Sequence, residues 1–409
     1  MTTLRKIVAI GASHGAVEFA AVLRQRGFDG SVLLVGDEPE LPYQRPPLSK
    51  EFLKPEAEAL PLKGEMFYGA NAIDLRLGVR VESIDRTTRA IVLSSGESIP
   101  YDHLLLSTGA RNRFLPIPGL EPAKALALRT LADARGLNAR LDGLRHVTVV
   151  GGGFIGLEVA ALLRAKGIAV DVLEATTRLM GRVLSHHMSD YFHGFHRTLG
   201  TTLRLETLAQ RITHRTDHDE ITLSTGETLR SDAVLVAAGI VPNTELATAA
   251  GLATDNGILV DDRLRTSDPD ISAIGDCAAY PNFHTGTVTR LESVQNAVDQ
   301  GRHVAARLTG QDKAYDGFPW FWSNQGTARL QIAGIAHAPD ATVLRGDPSS
   351  GKFSVFLYRE GKLIAVESLN QAGEHMLARR LLGQGLSIAP DQAADLSIDL
   401  KALLPRPSA

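Results

Sequence analysis

The sequence predicts an α/β fold made of two similar strand, turn and helix domains and a small α+β domain at the C-terminus. Three observations lead to this prediction: a glycine turn that occurs twice, a second pair of matching segments, and strand-like alternation near the C-terminus. At 409 residues the chain exceeds the size that one hydrophobic core usually covers, so two or three domains are expected.

The first glycine turn lies near the N-terminus. An apolar run at 7–10 predicts a buried strand, the sequence Gly-Ala-Ser-His-Gly-Ala follows at 11–16, and a helix-like stretch continues to Gly27. A second strand-like run at 31–35 then leads to Asp37. This order of strand, glycine turn, helix, strand and acidic residue is typical of a Rossmann-like dinucleotide-binding domain.

The same order returns in the middle of the chain. Residues 147–150 are apolar, Gly-Gly-Gly-Phe-Ile-Gly occupies 151–156, and a strand-like run at 169–173 ends beside Glu174. Two such copies predict two dinucleotide sites.

A hairpin-like turn is repeated as well. Leu-Ser-Ser-Gly-Glu at 93–97 matches Leu-Ser-Thr-Gly-Glu at 223–227, and each is followed by a strand-like run that ends in a glycine. Asp102 and Asp232 occupy equivalent positions in the repeat, and we interpret them as structural turn residues without a chemical role. The duplication therefore covers the whole unit and not the glycine turns alone.

The residue types of each turn fit a bound dinucleotide. Glycines let the backbone approach a pyrophosphate at a helix N-terminus, and the acidic residue hydrogen-bonds a ribose. The second turn has every glycine of the G-x-G-x-x-G pattern, whereas Ser13 and Ala16 replace two of them in the first. Small residues also let a helix pack closely on a strand, which is the alternative for each turn.

The second site favours NADH over NADPH. Glu174 would accept hydrogen bonds from both hydroxyls of an adenosine ribose and would repel a 2′-phosphate. Arg178 follows four residues later, and it would either stack on the adenine or accept a phosphate.

Composition excludes several other classes of protein. A formal charge of -3 provides no broad basic field for nucleic acid or anionic lipid. The only cysteine is Cys277, which excludes an internal disulfide, a Cys-x-x-Cys motif and a four-cysteine metal site.

The N-terminus does not resemble a signal peptide and no apolar run is long enough to cross a membrane, so a cytoplasmic location is expected. Four histidines lie off the apolar stripe of one helix, which predicts a solvated face and no metal site: His186, His187, His193 and His196.

Seven spaced motifs carry a resemblance to a known family. They are the turn at 11–16, Arg-Pro-Pro-Leu-Ser-Lys at 45–50, Ser-Thr-Gly-Ala at 107–110, Gly-Gly-Gly-Phe-Ile-Gly-Leu-Glu at 151–158, Ile-Gly-Asp-Cys-Ala at 274–278, Glu-Ser-Val-Gln-Asn-Ala at 292–297 and Pro-Trp-Phe-Trp-Ser-Asn-Gln at 319–325. In this order they resemble the FAD-dependent ferredoxin reductases of bacterial oxygenase systems, of the putidaredoxin reductase type. The resemblance implies a glutathione-reductase-like fold with FAD at the first turn and NADH at the second.

The resemblance also implies which residues bind the cofactors. Carried over position by position, it places on FAD the residues Ser13, His14, Asp37, Lys50, Val81, Arg129, Asp276 and Val294. It places on NADH the residues Ile155, Glu158 and Glu174. The predicted cofactor-binding set further includes Gly11, Gly15, Arg45, Thr108, Gly109, Gly151, Gly153, Gly156, Gly239 and Trp320.

Four expectations have a mechanistic meaning, and three of them also have a plainer alternative. Similar enzymes place Lys50 beside the flavin N5 edge and Glu158 where the nicotinamide enters, as a catalytic pair joined by a charge-assisted hydrogen bond; two solvated charges are the alternative. Asp276 is expected to accept a hydrogen bond from the ribitol, or else to be a helix N-cap or turn residue. The helix that starts near Glu292 is expected to point its positive end at the flavin. Trp320 is expected on the exit side of the electrons, or else in an interdomain core.

The repeat boundaries predict a discontinuous FAD domain at 1–112 and 245–316, an NADH domain at 113–244 and a C-terminal α+β domain at 317–409. In the last domain, strand-like alternation at 352–358 and 363–369 flanks a Glu360-Gly361 turn, and a helix-like stretch follows at 374–382.

The predicted function is NADH-dependent reduction of a 2Fe-2S ferredoxin through FAD, and that ferredoxin would supply a haem monooxygenase or a Rieske dioxygenase. Related flavoproteins that reduce disulfides or peroxides carry a cysteine near the segment Leu-Pro-Tyr-Gln at 41–44, where this chain has none, and Cys277 is interpreted as a buried apolar residue. Candidates for the patch that docks an acidic ferredoxin are Arg290, Arg302, Arg307 and Arg329.

The protein is predicted to act as a monomer or weak homodimer. Two other functions fit the same fold and cofactors. One is NADH-dependent reduction of a small acceptor such as a quinone, an organic radical or oxygen. The other is a redox sensor resembling apoptosis-inducing factor, in which NADH binding changes the oligomeric state.

Overall fold

The computed structural model describes residues 4–53 and 58–403. Its contacts divide the chain into two compact units. The first unit consists of Met1–Gln44, Ala59–Arg111 and Val241–Gly317, and the second consists of Arg45–Glu58, Asn112–Ile240 and Phe318–Ala409.

These units differ from the predicted domains in two ways. The segment Arg45–Glu58, predicted in the FAD domain, belongs to the second unit because its short helix Pro46–Ser49 packs on a helix of that unit. The predicted NADH and C-terminal domains lie together in the second unit. The assignment of a cofactor to each domain stays a prediction.

In chain order, the elements of the first part of the chain are β1 Lys6–Ile10, α1 His14–Gln25, β2 Ser31–Val35, α2 Glu65–Ala70, β3 Ile73–Arg76, β4 Val81–Asp85, β5 Ala90–Leu93, β6 Ser98–Pro100, β7 His103–Leu106 and β8 Ala110–Asn112. The middle part contains α3 Leu131–Arg140, β9 His146–Val150, α4 Phe154–Ala165, β10 Ala169–Leu173, α5 His186–Thr198, β11 Thr202–Arg204, β12 Ala209–His214, β13 Asp219–Leu223, β14 Thr228–Ser231, β15 Ala233–Val236 and β16 Ile240–Pro242.

The last part contains α6 Glu245–Ala249, β17 Thr254–Asp255, β18 Gly257–Leu259, β19 Ile271–Ala273, β20 Ala278–Pro281, β21 Val288–Thr289, α7 Val294–Leu308, β22 Trp320–Gln325, β23 Ala328–Gly334, β24 Ala341–Asp347, β25 Lys352–Arg359, β26 Lys362–Leu369, α8 Ala372–Gly383 and α9 Pro390–Ala394. In the described part of the chain, no helix has both the length and the apolar character needed to cross a membrane.

The first unit is built on a parallel sheet. Its strand order is β19-β7-β1-β2-β3, and α1 packs against α7. The central strands β1 and β7 are almost fully buried, as expected when helices cover a parallel sheet, whereas the edge strand β3 exposes Asp74 and Arg76. An antiparallel sheet of β4, β5 and β6 carries the predicted hairpin turn at 93–97.

The second unit combines a parallel sheet, an antiparallel hairpin sheet and a larger antiparallel sheet. The parallel sheet has the order β11-β10-β9-β15, and β12, β13 and β14 form the second copy of the hairpin sheet. The C-terminal part forms the sheet β22-β23-β26-β25-β24, with α8 packed on β23 and β26. The predicted strands around the Glu360-Gly361 turn and the predicted helix at 374–382 are confirmed by β25, β26 and α8.

The repeat extends to side-chain hydrogen bonds. The Asp102 carboxylate accepts from the backbone N–H groups of Arg5 and Lys6 at 2.8 and 2.7 Å. Asp232 accepts from the N–H groups that precede β9, those of Arg145 and His146, at 2.6 and 2.8 Å. Each aspartate fixes the start of the first strand of its copy, which confirms the structural role predicted for this pair.

Candidate functional site

The second glycine turn joins β9 to α4 and has three crowded glycines, Gly151, Gly152 and Gly156, and one open one, Gly153. A Cβ on Gly151, whose φ is +114°, would lie 2.4 Å from the Ala237 carbonyl oxygen. A Cβ on Gly156 would lie 2.3 Å from the Gly151 oxygen. Gly153 is the N-cap of α4, and no atom lies within 4 Å of a Cβ placed there. The turn thus leaves open space in front of a helix N-terminus, which fits a bound pyrophosphate.

Glu174 lies at the carboxyl end of β10, beside this turn. Its Oε2 accepts the N–H of Gly152 at 2.8 Å, and its Oε1 accepts the N–H and the hydroxyl of Thr176 at 2.8 and 2.7 Å. The carboxylate is therefore held in place before any ribose arrives.

Arg178 is engaged in the loop that follows Glu174. Its guanidinium donates to the carbonyls of Leu184 and Gly181 at 2.5 and 2.8 Å. These bonds hold the loop, and they account for the side chain without an adenine or a phosphate.

Lys50 and Glu158 are brought together in the second unit. The lysine Nζ lies 2.6 Å from Glu158 Oε2, and the two side chains are 16% and 4% exposed. The same oxygen accepts the Ser49 hydroxyl at 2.5 Å. Glu158 Oε1 accepts the Ser323 hydroxyl at 2.6 Å and the Asn324 N–H at 3.3 Å. The alternative of two solvated charges is wrong, because Glu158 is buried and bonded through both oxygens.

Two side chains that bond Glu158 were not among the predicted site residues. Ser49 precedes Lys50 in the motif at 45–50, and Ser323 lies in the motif at 319–325. Their presence inside two motifs of the resemblance was the available signal. Serine alone gives none, because it is common in loops and helix caps.

The remaining residues predicted for this unit lie outside this cluster. Arg45 donates to the carbonyl of Arg129 at 2.9 Å, so these two predicted cofactor-binding residues are adjacent. The Trp320 ring lies 5.4 Å from that of Trp322, and the Arg379 guanidinium lies 4.1 Å over it. Ile155 is an exposed side chain of the first turn of α4, and Gly239 follows β15 with φ of +91°.

Helix α5 corrects one prediction. His186 and His187 are exposed and His193 is half-buried, but His196 is fully buried. Its Nε2 lies 2.8 Å from Gln325 Oε1, in the C-terminal sheet, so the predicted solvated face is wrong for this residue. Burial lowers the pKa of His196. In residues 4–53 and 58–403 no group of three or more His, Cys, Asp or Glu could hold a metal ion.

In the first unit, the predicted FAD residues gather at the carboxyl edge of the parallel sheet. A Cβ on Gly11, with φ of +105°, would lie 2.2 Å from the Ser107 oxygen, and one on Gly15 would lie 2.9 Å from Ile274. Ser13 is the N-cap of α1 and His14 its first residue. Asp37, which follows β2, is exposed at the same edge.

The other predicted residues of this unit follow β7 and β19 or begin later elements. Thr108 donates its hydroxyl to the Asn243 carbonyl at 2.7 Å, and Gly109 has φ of +65°. Asp276 lies in the short helix Gly275–Cys277, which packs on α7. Val294 is the first residue of α7, and Val81 begins β4 within the same hydrophobic core as β1.

The structure confirms the prediction for Cys277 and contradicts the one for the arginines. Cys277 is fully buried, as predicted, and burial raises the pKa of its thiol. The side chain of Arg290 is 8% exposed and pairs with Glu292, and Arg307 donates to Ser272 at 2.6 Å. These two arginines are engaged inside the first unit, so the docking patch predicted from all four is wrong.

Comparison with known proteins identifies the family of this chain. Residues 5–301 match the pyridine nucleotide-disulphide oxidoreductase family, and residues 320–404 match the reductase C-terminal family. Rhodocoxin reductase from Rhodococcus erythropolis is 46% identical over 403 residues, which cover 98% of this chain and 94% of that protein. The chain belongs to the ferredoxin reductases of this family.

Solved structures of ferredoxin reductases match over almost the whole chain. The ferredoxin reductase of the CYP199A2 system from Rhodopseudomonas palustris has a TM-score of 0.95 at 47% identity, covering 98% of this chain and all of that one (100%). The covalent putidaredoxin reductase–putidaredoxin complex has a TM-score of 0.94 at 35% identity, covering 98% of each chain. These matches confirm the predicted fold class. As a ferredoxin reductase of this family, the present chain is FAD-dependent and uses NAD(P)H.

Proposed function

We propose that this ferredoxin reductase passes electrons from NADH through FAD to a 2Fe-2S ferredoxin that supplies a haem monooxygenase or a Rieske dioxygenase. The observation that carries the proposal is the cysteine content. The chain has one cysteine, and it is 0% exposed. Without a second thiol, electrons have no dithiol to pass through on their way to an acceptor, so they leave directly from the flavin.

The residues of the second unit have separate tasks in this function. The open N-terminus of α4 at Gly153 binds the pyrophosphate of NADH, and Glu174 binds the adenosine ribose. Lys50 and Glu158 orient the nicotinamide, because a buried charged pair keeps a fixed geometry. When bound, FAD supplies the hydride acceptor and the store from which single electrons leave. NADH is preferred because Glu174 would repel a 2′-phosphate and Arg178 already binds backbone carbonyls.

The partner follows from the relatives and from the surface near Trp320. Putidaredoxin reductase, by its name and its covalent complex, works with putidaredoxin, and another relative belongs to an anthranilate 1,2-dioxygenase system. By analogy, we place transient electrostatic docking of the ferredoxin near Trp320, where Arg379 supplies positive charge. We further propose a cytoplasmic monomer or weak homodimer.

Anaerobic stopped-flow absorbance tests this function. The yellow protein is mixed with NADH or NADPH and then with putidaredoxin or another oxidised 2Fe-2S ferredoxin of a bacterial oxygenase system. We expect rapid bleaching by NADH, slower bleaching by NADPH, and reoxidation of the flavin as the ferredoxin is reduced.

A Cys277→Ala variant is the matched control, and it should keep both reactions because the thiol has no role. A flavin that NADH reduces but that every such ferredoxin leaves reduced would overturn the proposal. So would loss of electron transfer in Cys277→Ala protein that retains its FAD.

A further inference from the structure

Glu158 has no unused position for another donor. Its two oxygens accept four hydrogen bonds, and a carboxylate has about four lone-pair sites. A nicotinamide amide that binds this carboxylate must therefore displace one of the donors already present. Which oxygen exchanges its donor depends on how firmly each side is held.

The Oε2 side is suited to exchange. The Lys50 side chain is more exposed than Ser49, Ser323 and Glu158, and its Nζ also lies 3.2 Å from the Pro46 carbonyl and 3.3 Å from the Ser49 hydroxyl. Lys50 can leave Glu158 and keep acceptors within reach. Its release would leave no buried donor unsatisfied, which is the condition for a low-cost exchange.

The Oε1 side is fixed. Ser323 is fully buried in β22, and its single O–H points at Glu158 because Gln325 Nε2 lies 3.4 Å away as a donor to the same oxygen. Gln325 is held in turn by His196, whose Nε2 lies 2.8 Å from Gln325 Oε1. His196, Gln325 and Ser323 thus form a buried chain behind Glu158, which we call the serine anchor.

We infer that Ser323 is a positioning residue for hydride transfer: the serine anchor holds Glu158 Oε1, so only Oε2 changes donors when the nicotinamide binds. This inference rests on the proposed function, since it assigns the nicotinamide to Glu158. It gives the C-terminal sheet a part in the NADH reaction through β22. Loss of one hydrogen bond to a charged group corresponds to about a 10- to 100-fold change in rate.

The test compares Ser323→Ala with Ser354→Ala in the intact FAD-loaded protein. Ser354 is also fully buried in the C-terminal sheet, but it bonds Ser368 and not Glu158. For Ser323→Ala we expect the limiting rate of flavin reduction by NADH to fall about 10- to 100-fold. Calorimetric titration with NAD+ should show less than about a threefold change in affinity, because the adenosine end is bound by other residues. Ser354→Ala should lower only the melting temperature.

Two further variants examine the asymmetry between the oxygens. Ser323→Cys keeps the shape of the side chain, with a slightly larger atom and a weaker donor, so it should lose rate even if the alanine variant folds poorly. Ser49→Ala removes a donor from the exchanging oxygen, where Lys50 or the nicotinamide amide can take its place, so the rate should fall by a smaller factor than in Ser323→Ala.

Three results would overturn the inference: wild-type reduction rates in both Ser323 variants, an equal loss in Ser49→Ala, or a loss in Ser323→Ala confined to NAD+ affinity. The comparison uses NADH alone, without a ferredoxin. A wild-type flavin that NADH reduces but ferredoxin cannot reoxidise would therefore contradict the proposed function and leave the role of Ser323 standing.

Discussion

The two glycine turns begin with the same backbone hydrogen bond and then differ in what packs against the helix. The N–H of Gly11 donates to Val35, and that of Gly151 donates to Leu173, at 2.7 and 2.8 Å. In the first turn, Gly15 lies against α7, where a Cβ would be 3.0 Å from the Ala297 oxygen. At the matching position the second turn has an exposed isoleucine, Ile155.

At the next position of the turns, the second turn has the crowded glycine and the first turn has the larger residue. Gly156 has no room for a Cβ, whereas the first turn has the fully buried Ala16 there. The departure of the first turn from the G-x-G-x-x-G pattern therefore reflects which neighbour approaches its helix. It does not indicate that a dinucleotide site has been lost.

The acidic residues of the two turns differ as well. Glu174 is fixed by Gly152 and Thr176. Asp37 is exposed, and among the described residues no side-chain hydrogen bond or ion pair is found for it. A carboxylate that is already oriented binds a ribose at a lower entropic cost, which suits a ligand that must bind in every turnover.

The largest effect is expected from Gly11→Ala. The substitution would put a Cβ 2.2 Å from the Ser107 oxygen at a φ of +105°, so the backbone of the first turn must move. We expect a loss of about 3 kcal/mol or more in stability and a protein purified without yellow colour. The absorbance of bound flavin measures the loss of FAD, and the melting temperature measures the loss of stability. Gly136→Ala, at an exposed helix position with no atom within 4 Å, is the control and should keep its FAD. A yellow Gly11→Ala protein of normal stability would contradict this account of the turn.

Gly156→Ala should produce the next largest effect, and it should be confined to the second turn. The added Cβ would lie 2.3 Å from the Gly151 oxygen and would displace the N-terminus of α4. We expect FAD to be retained while the KM for NADH rises about 100-fold. The matched change Ala16→Gly should cost about 1 kcal/mol and leave NADH kinetics intact. Normal NADH kinetics in Gly156→Ala would remove the distinction between the two turns.

Much of this comparison could be predicted from the sequence, because the repeat depends on local patterns. The apolar strands, the glycine turns and the hairpin turns at 93–97 and 223–227 follow from residue order alone. The pairing of Lys50 with Glu158 came from the resemblance, and the structure brings the two residues together.

Contacts between residues far apart in the chain could not be predicted. His196 of helix α5 bonds Gln325, which is 129 residues away in the C-terminal sheet, and a helical wheel shows only the residues of one helix. Arg290 and Arg307 bear charges that are usually exposed, but Arg290 donates to the carbonyl of Asp276, 14 residues away, at 2.9 Å, and Arg307 donates to the hydroxyl of Ser272, 35 residues away, at 2.6 Å. Such long-range partners leave no periodic signal.

Glu174→Gln would sharpen the contrast between the two acidic residues. Glutamine keeps the size of the side chain but removes the charge that repels a 2′-phosphate. We expect the ratio of kcat/KM for NADH over that for NADPH to fall about 10-fold, with FAD content unchanged. Steady-state kinetics with both nucleotides measure the ratio. An unchanged ratio would mean that another residue, and not Glu174, selects NADH.

The effect that is smallest at neutral pH concerns His103, whose match in the second copy of the repeat is Ala233. Its Nε2 lies 3.0 Å from the hydroxyl of Ser272, which also accepts from Arg307 at 2.6 Å. Burial first and the Arg307 charge second lower the pKa of His103 to about 3, against a smaller opposing effect of Asp268. The folded protein therefore holds this histidine neutral, whereas the unfolded chain protonates it near pH 6.5.

The sign of the pH dependence follows from that difference. A depressed pKa gives stability that is complete above pH 6.5 and is lost as the pH falls towards 3, by up to about 1.4 kcal/mol per pH unit. Urea titrations between pH 7.5 and 4.5 should show a shallower loss of stability in His103→Gln than in the wild type. His337→Gln, at an exposed position, is the control for removal of one histidine. Parallel slopes for wild type and His103→Gln would show that the first copy of the repeat does not carry this acid sensitivity.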